Sequence, residues 1–154
     1  MAGDDIRVQV RGDKETADKM HGIAVALTGA PMVDGLRRAA ALVSRDAKLI
    51  VPVDSGRLKS SITPDVRVKG NVVQGVVGSN KSYAPYVELG TRPHWPPLDA
   101  LKVWASRHGT TPYVVARGIA AKGTKAYKYL QGSFDKNKDN IKQMIGKVVS
   151  EIVS

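Results

Sequence analysis

The stretch from Tyr83 to Pro97, Y-A-P-Y-V-E-L-G-T-R-P-H-W-P-P, constrains the backbone more tightly than any other part of the chain. It holds three aromatics, four prolines and a glycine in fifteen positions, in a protein where aromatics are 5% of residues. Tyr83 to Leu89 reads as about two turns of helix: Pro85 fits a first turn, where its missing N–H is not needed, and Gly90 fits the stop. Beyond it, Pro93, Pro96 and Pro97 each push the preceding residue into an extended conformation. A short helix should therefore run into a stiff extended arm. Glu88 is the one acid between Asp65 and Asp99 and stands among apolar residues. Burying such a carboxylate unpaired costs several kcal/mol, so an arginine partner is expected.

A chain of 154 residues is the right size for one core, and residues 1–154 are expected to form a single domain. The absence of cysteine excludes disulfides, thiolate metal sites and cysteine nucleophiles. The opening M-A-G-D-D-I has neither the basic nor the apolar region of a secretory signal. The longest uncharged apolar stretch, Gly22 to Val33, is too short for a bilayer and contains Gly29 and Pro31. The expectation is a soluble protein that works without export.

Ile6, Val8 and Val10 alternate with polar residues, which predicts a half-buried strand, with Asp13 as cap to a helix over Thr16 to Leu27. Met32, Leu36, Ala39, Ala40, Val43, Ala47 and Ile50 recur at three- and four-residue steps, the stripe of a long amphipathic helix that ends before Pro52. Asp54 or Ser55 is then placed to cap a short helix through Leu58 to Ser61. Valine-rich segments at Thr63 to Val68 and Val72 to Gly78 flank the turn Lys69-Gly70-Asn71 and predict a hairpin. After the arm, helices are expected over Leu98 to His108 and from Pro112 to Gly123. Ser133 should cap a last helix at 134–152. The fold class is therefore α+β: a small antiparallel sheet, hairpin plus N-terminal strand, against a long amphipathic helix, with further helices in the C-terminal half.

No catalytic constellation emerges. His21, His94 and His108 lie in different elements without a carboxylate at ligand spacing, and neither phosphate-binding glycine loops nor a nucleophile with its base are present. We read the chain as non-enzymatic, with no cofactor and no metal.

The segments P-V-D-S-G-R-L-K-S-S-I (Pro52 to Ile62) and Y-A-P-Y-V-E-L-G-T (Tyr83 to Thr91), with a hairpin between, resemble a tailed-bacteriophage and prophage family of minor tail proteins, also described as tail-completion, neck or head–tail joining proteins. The resemblance covers about Leu36 to Ile152. Ser55 stands where the family usually has threonine, which keeps the hydroxyl; Ala126 and Tyr129 stand where proline and phenylalanine are usual, and residues 93–123 look like a helical insertion. The resemblance implies a structural virion protein: a subunit of a hexameric ring that completes the tail or joins it to the head connector, assembled in the host cytoplasm beside other neck and tail proteins. Because Arg57 and Glu88 each stand in one of the paired motifs, an ion pair between them is expected.

A ring needs an anchor on one face of each subunit and a socket on the other, and Tyr83, Tyr86, Arg92, His94 and Trp95 are the expected interface residues. Trp104, on a helix face, is expected to pack within the subunit. The net charge of +10 suits a polyanionic or acidic neighbour. Between Asp99 and Asp135 there is no acid, but Lys102, Arg107, Arg117, Lys122, Lys125 and Lys128 occur. These could face DNA passing through a ring lumen. The rival reading of the same residues is a free nucleic-acid-binding protein without sequence specificity.

Overall fold

The computed structural model describes residues 14–154; the strand expected over Ile6 to Val10 and the cap at Asp13 lie outside them. Helix α1 (Lys14–Ala26) turns into α2 (Ala30–Ile50), whose first turn contains Pro31. Met32, Ala39, Ala40, Val43 and Ala47 of α2 are buried, as their spacing predicts, whereas Ile50 in the last turn is exposed. The short α3 (Arg57–Ser61) leads into an antiparallel hairpin, β1 (Ile62–Lys69) and β2 (Val72–Ser79), with Ile62 opposite Ser79 and Lys69 opposite Val72. Next come α4 (Ala84–Leu89), the extended arm, α5 (Leu98–Arg107), α6 (Pro112–Lys122) and α7 (Tyr129–Val153).

Helix α7 runs antiparallel along α2, with Val148 against Gly35 near one end and Asn137 bonded to Asp46 near the other. A Cβ at Gly35 would stand 3.0 Å from Val148 Cγ2, so glycine sets how closely the helices approach. The hairpin lies on α2 near Gly75, where a Cβ would meet the Leu36 carbonyl at 3.6 Å and Ala40 Cβ at 3.7 Å, ordinary contact distances. Ala47, Val51, Leu58, Ile62, Ala84 and Tyr129 form one buried cluster, with Val77, Val87 and Leu130 packed on it. Leu58 comes from the first paired motif and Ala84 from the second, so the motifs meet in the core. Burying a side chain such as Leu58 or Ile62 contributes about 1.5–3 kcal/mol.

Two expected caps are corrected. Helix α3 follows Gly56, which is left-handed at φ 77°, and has no side-chain cap; Asp54 instead accepts from Arg107 of α5 at 2.6 Å. Helix α7 starts a full turn before Phe134, so Ser133 lies inside it and its hydroxyl donates to the Tyr129 carbonyl at 2.6 Å. Among the described residues a local side-chain cap stands at α6, Thr111 Oγ1 accepting from the Val114 N–H at 3.4 Å.

Candidate functional site

The segment after α6 is fastened to the second motif by backbone bonds. Thr91 N–H donates to the Thr124 carbonyl at 3.2 Å and Thr124 N–H to the Thr91 carbonyl at 3.1 Å, while the two hydroxyls lie 3.0 Å apart. Tyr127 and Lys128 N–H groups then donate to the carbonyls of Val87 and Glu88, each at 3.0 Å. Gly90 and Gly123 permit this approach. Both have positive φ, 69° and 72°; a Cβ at Gly90 would fall 2.5 Å from the Thr124 carbonyl oxygen, and one at Gly123 would overlap the Thr91 carbonyl.

Glu88 has a different partner from the one expected. Its carboxylate accepts from the N–H groups of Leu130 at 2.9 Å and Gln131 at 2.9 Å, both in the first turn of α7. No ion pair within 4.0 Å joins Arg57 to Glu88 among the described residues, and Arg57 is exposed. The carboxylate is a helix cap supplied from another element. It satisfies two of the orphan donors of α7 and places negative charge at the positive end of the helix dipole. Lys128, the residue before α7, offers no side-chain cap and is itself left-handed at φ 48°.

The fastening creates a cleft of ≈ 710 Å³. Four of the five expected interface residues, Tyr83, Tyr86, Arg92 and His94, line it, together with Lys125 and Tyr127 from the segment after α6. The arm is held over α6 by His94 N–H donating to the Ile119 carbonyl at 3.4 Å, and His94 Nδ1 lies 2.9 Å from the Arg92 carbonyl. The fifth residue, Trp95, points elsewhere: it meets Tyr113 edge-on with ring centroids 5.7 Å apart and remains 53% exposed. Trp104, expected inside the subunit, stacks on His108 at 3.9 Å and is itself exposed. Of the eight aromatic residues, only Tyr129 is buried. Its hydroxyl has no hydrogen-bond partner among the described residues, and burial, aided by the Glu88 charge, raises its pKa.

The expected basic set divides in two. Lys102 pairs with Asp99 one turn earlier in α5, and Arg107 pairs with Asp54 at 2.6 Å. Arg117, Lys122, Lys125 and Lys128 are exposed and have no acidic partner within 4.0 Å among the described residues. Lys125 Nζ lies 5.4 Å from the centre of the Tyr127 ring, a cation–π distance.

Sequence reasoning also missed Asp46. This side chain is 3% exposed within α2 and accepts from Asn137 Nδ2 at 3.0 Å and Arg45 Nε at 3.0 Å, with Lys136 Nζ at 3.2 Å. The Asn137 and Arg45 hydrogen bonds, opposed by burial and helped by Lys136, lower its pKa from 3.8 to about 2. A hint lay in its position, between Val43 and Ala47 on the buried side of the stripe. Among the described residues there is no cluster of His, Asp and Glu able to hold a metal, and no helix is long and apolar enough to cross a membrane.

A family model described as "HK97-gp10_like: Bacteriophage HK97-gp10, putative tail-component" matches residues 13–90, half of the chain. The matched region runs from α1 through α4 and includes the first motif, the hairpin and the second motif as far as Gly90, the glycine where the fastening begins. No curated protein and no solved structure matches the chain.

Proposed function

This chain belongs to the HK97-gp10-like family of bacteriophage tail components, and on that premise we propose that it is a ring subunit that completes the tail or joins it to the head connector. The observation that carries the reading is the outward placement of seven of the eight aromatics, six of them between Tyr83 and Tyr127. Large rigid side chains left in solvent contribute little to the subunit's own core. They are the residue types that dominate protein interfaces, and a ring requires such anchors on each subunit. The role is structural and non-catalytic, within the virion beside other phage proteins.

On this reading the chain is one domain, and residues 93–123 are an insertion whose two ends are clipped together by the Thr91 and Thr124 bridge. Arg117, Lys122, Lys125 and Lys128 provide positive charge without an acidic partner among the described residues, and it could face the lumen through which DNA passes. If the protein were instead a free nucleic-acid binder, the isolated subunit should bind duplex DNA with strong salt dependence.

The test is complementation of a phage lacking this protein with Trp95→Ala and Tyr86→Ala. Tail-joined particles should be lost while the melting temperature of each variant stays within about 2 °C of the parent, since neither side chain is buried. Normal particles from both variants would overturn the reading.

A further inference from the structure

The cleft beside the Thr91–Thr124 bridge combines apolar and cationic groups in a way that suits one kind of ligand. Val87, Pro93 and Ile119 supply apolar lining, and Tyr83, Tyr86 and Tyr127 supply rings. Arg92 and Lys125 also line it, and no carboxylate does. Neither cation has an acidic partner within 4.0 Å among the described residues, in contrast with Arg107 and Lys102 of α5. The walls are fixed beforehand by the bridge and by its two positive-φ glycines, so little ordering entropy would be lost when something enters.

We propose that this cleft binds an acidic, extended segment of a neighbouring protein of a different kind, an inference that rests on the assembly reading above. One apolar or aromatic side chain of the segment would enter between the tyrosines, and flanking carboxylates would pair with Arg92 and Lys125. A second copy of this chain is the poorer complement at this cleft, because its 14 acids are outnumbered by 24 lysines and arginines; contacts between copies of the ring are left to aromatics outside the cleft, Trp95 among them. Duplex DNA is too wide to enter the cleft and would leave its apolar floor uncovered. A single strand needs a run of cations tracking its backbone, and this cleft offers two.

The experiment measures binding of the full chain to a fluorescein-labelled peptide of alternating glutamate and tyrosine. Controls are its lysine–tyrosine counterpart and a single-stranded and a duplex oligonucleotide, all at physiological salt. The acidic peptide should bind saturably, and Arg92→Glu or Lys125→Glu should each weaken it about tenfold. Lys147→Glu, the same charge change on α7, should leave it unaltered. Equal or tighter binding of the basic peptide or of either oligonucleotide would overturn the proposal. So would an equal loss with Lys147→Glu, or a self-association of the subunit that Lys125→Glu abolishes.

Particle assembly with Lys125→Glu separates this proposal from the reading beneath it. Peptide binding lost by the variant with assembly intact would leave the cleft site standing and remove its part in assembly. Assembly lost without any peptide binding by the parent would retain the ring subunit and remove the acidic ligand.

Discussion

Between α2 and α7 the packing is made by small and aliphatic residues, Gly35, Ala47 and Val148 among them, whereas from Tyr83 to Tyr127 the large side chains are aromatic and stand outside. The first region holds itself together by burial. The second is held largely by its backbone: two bonds across the Thr91–Thr124 bridge, two more onto Val87 and Glu88, and a carboxylate on the start of α7. Because backbone bonds and small buried alanines fix the second region, its aromatic surface is left free for contacts outside the subunit. On the proposed assembly reading, stability and recognition would then depend on different residues, and substitutions can separate them.

The largest effect should come from Gly123→Ala. The new methyl would overlap the Thr91 carbonyl at a backbone position with φ 72°, so docking of residues 91–128 should lose about 3 kcal/mol or more. Hydrogen exchange should show faster exchange in α5 and α6 with α2 and α7 still protected. Equal loss in both regions would mean that the two are not energetically separate. Gly118→Ala in α6 is the control: its Cβ would meet nothing within 4 Å, and helix propensity alone should add up to about 1 kcal/mol.

Glu88→Ala comes next, because it uncaps α7 and leaves two N–H groups without their partner. A loss of about 1–2 kcal/mol is expected in chemical denaturation, with Glu88→Gln losing less because its amide retains an acceptor. Arg57→Ala should change stability by less than about 0.5 kcal/mol. A double-mutant cycle showing strong coupling between residues 57 and 88 would restore the ion pair and remove the cap as the role of this acid.

Acid tests the other region. The Asp46 carboxyl titrates at about 2 in the fold against an ordinary 3.8, so its contribution is complete above that ordinary value and is lost as pH falls toward the folded value. Melting temperatures of the parent and Asp46→Asn should therefore differ most near neutrality and converge as the pH drops through this window. A gap that stays constant with pH would show that the lost contribution is packing, independent of the carboxylate's charge.

Much of the first region was legible from the sequence, and less of the second. The α2 stripe and the hairpin follow from hydrophobic period and turn residues, and the observed ends lie within a residue or two of those expected. The two motifs do meet, but through Leu58 and Ala84 in the core and not through the ion pair expected between Arg57 and Glu88. The partner of Glu88 was hidden because a backbone N–H belongs to every residue type except proline and leaves no mark at Leu130 or Gln131. The one trace was negative: Lys128 before α7 is not a capping residue type. Asp46 and Asn137 lie 91 positions apart, so only the helix pairing reveals that they meet. Trp104 followed a helical pattern that predicted a face correctly and its burial incorrectly, since α5 buries fully only Ala105, and α6 only Ala116.

A further small effect concerns the one aromatic that both regions share. Tyr129 is fully buried at the start of α7, packed with Ala47 and Ile62, and its hydroxyl is unpaired among the described residues. Removing an unsatisfied buried polar group releases its desolvation cost, so Tyr129→Phe should leave stability unchanged or raise it by up to about 1 kcal/mol. Alkaline pH sharpens the test. Burial, then the charges of Glu88 and Tyr83, raise the phenol above its ordinary 10.0, so the folded state favours the neutral form. Its contribution is whole below the ordinary value and is lost as pH rises through the higher folded one. The phenylalanine variant lacks this group and should lose less stability than the parent as the pH rises through and beyond the ordinary 10.0. A marked drop in stability at neutral pH would instead show that the hydroxyl has a partner, and Tyr129 would then belong with the polar fastening of the second region.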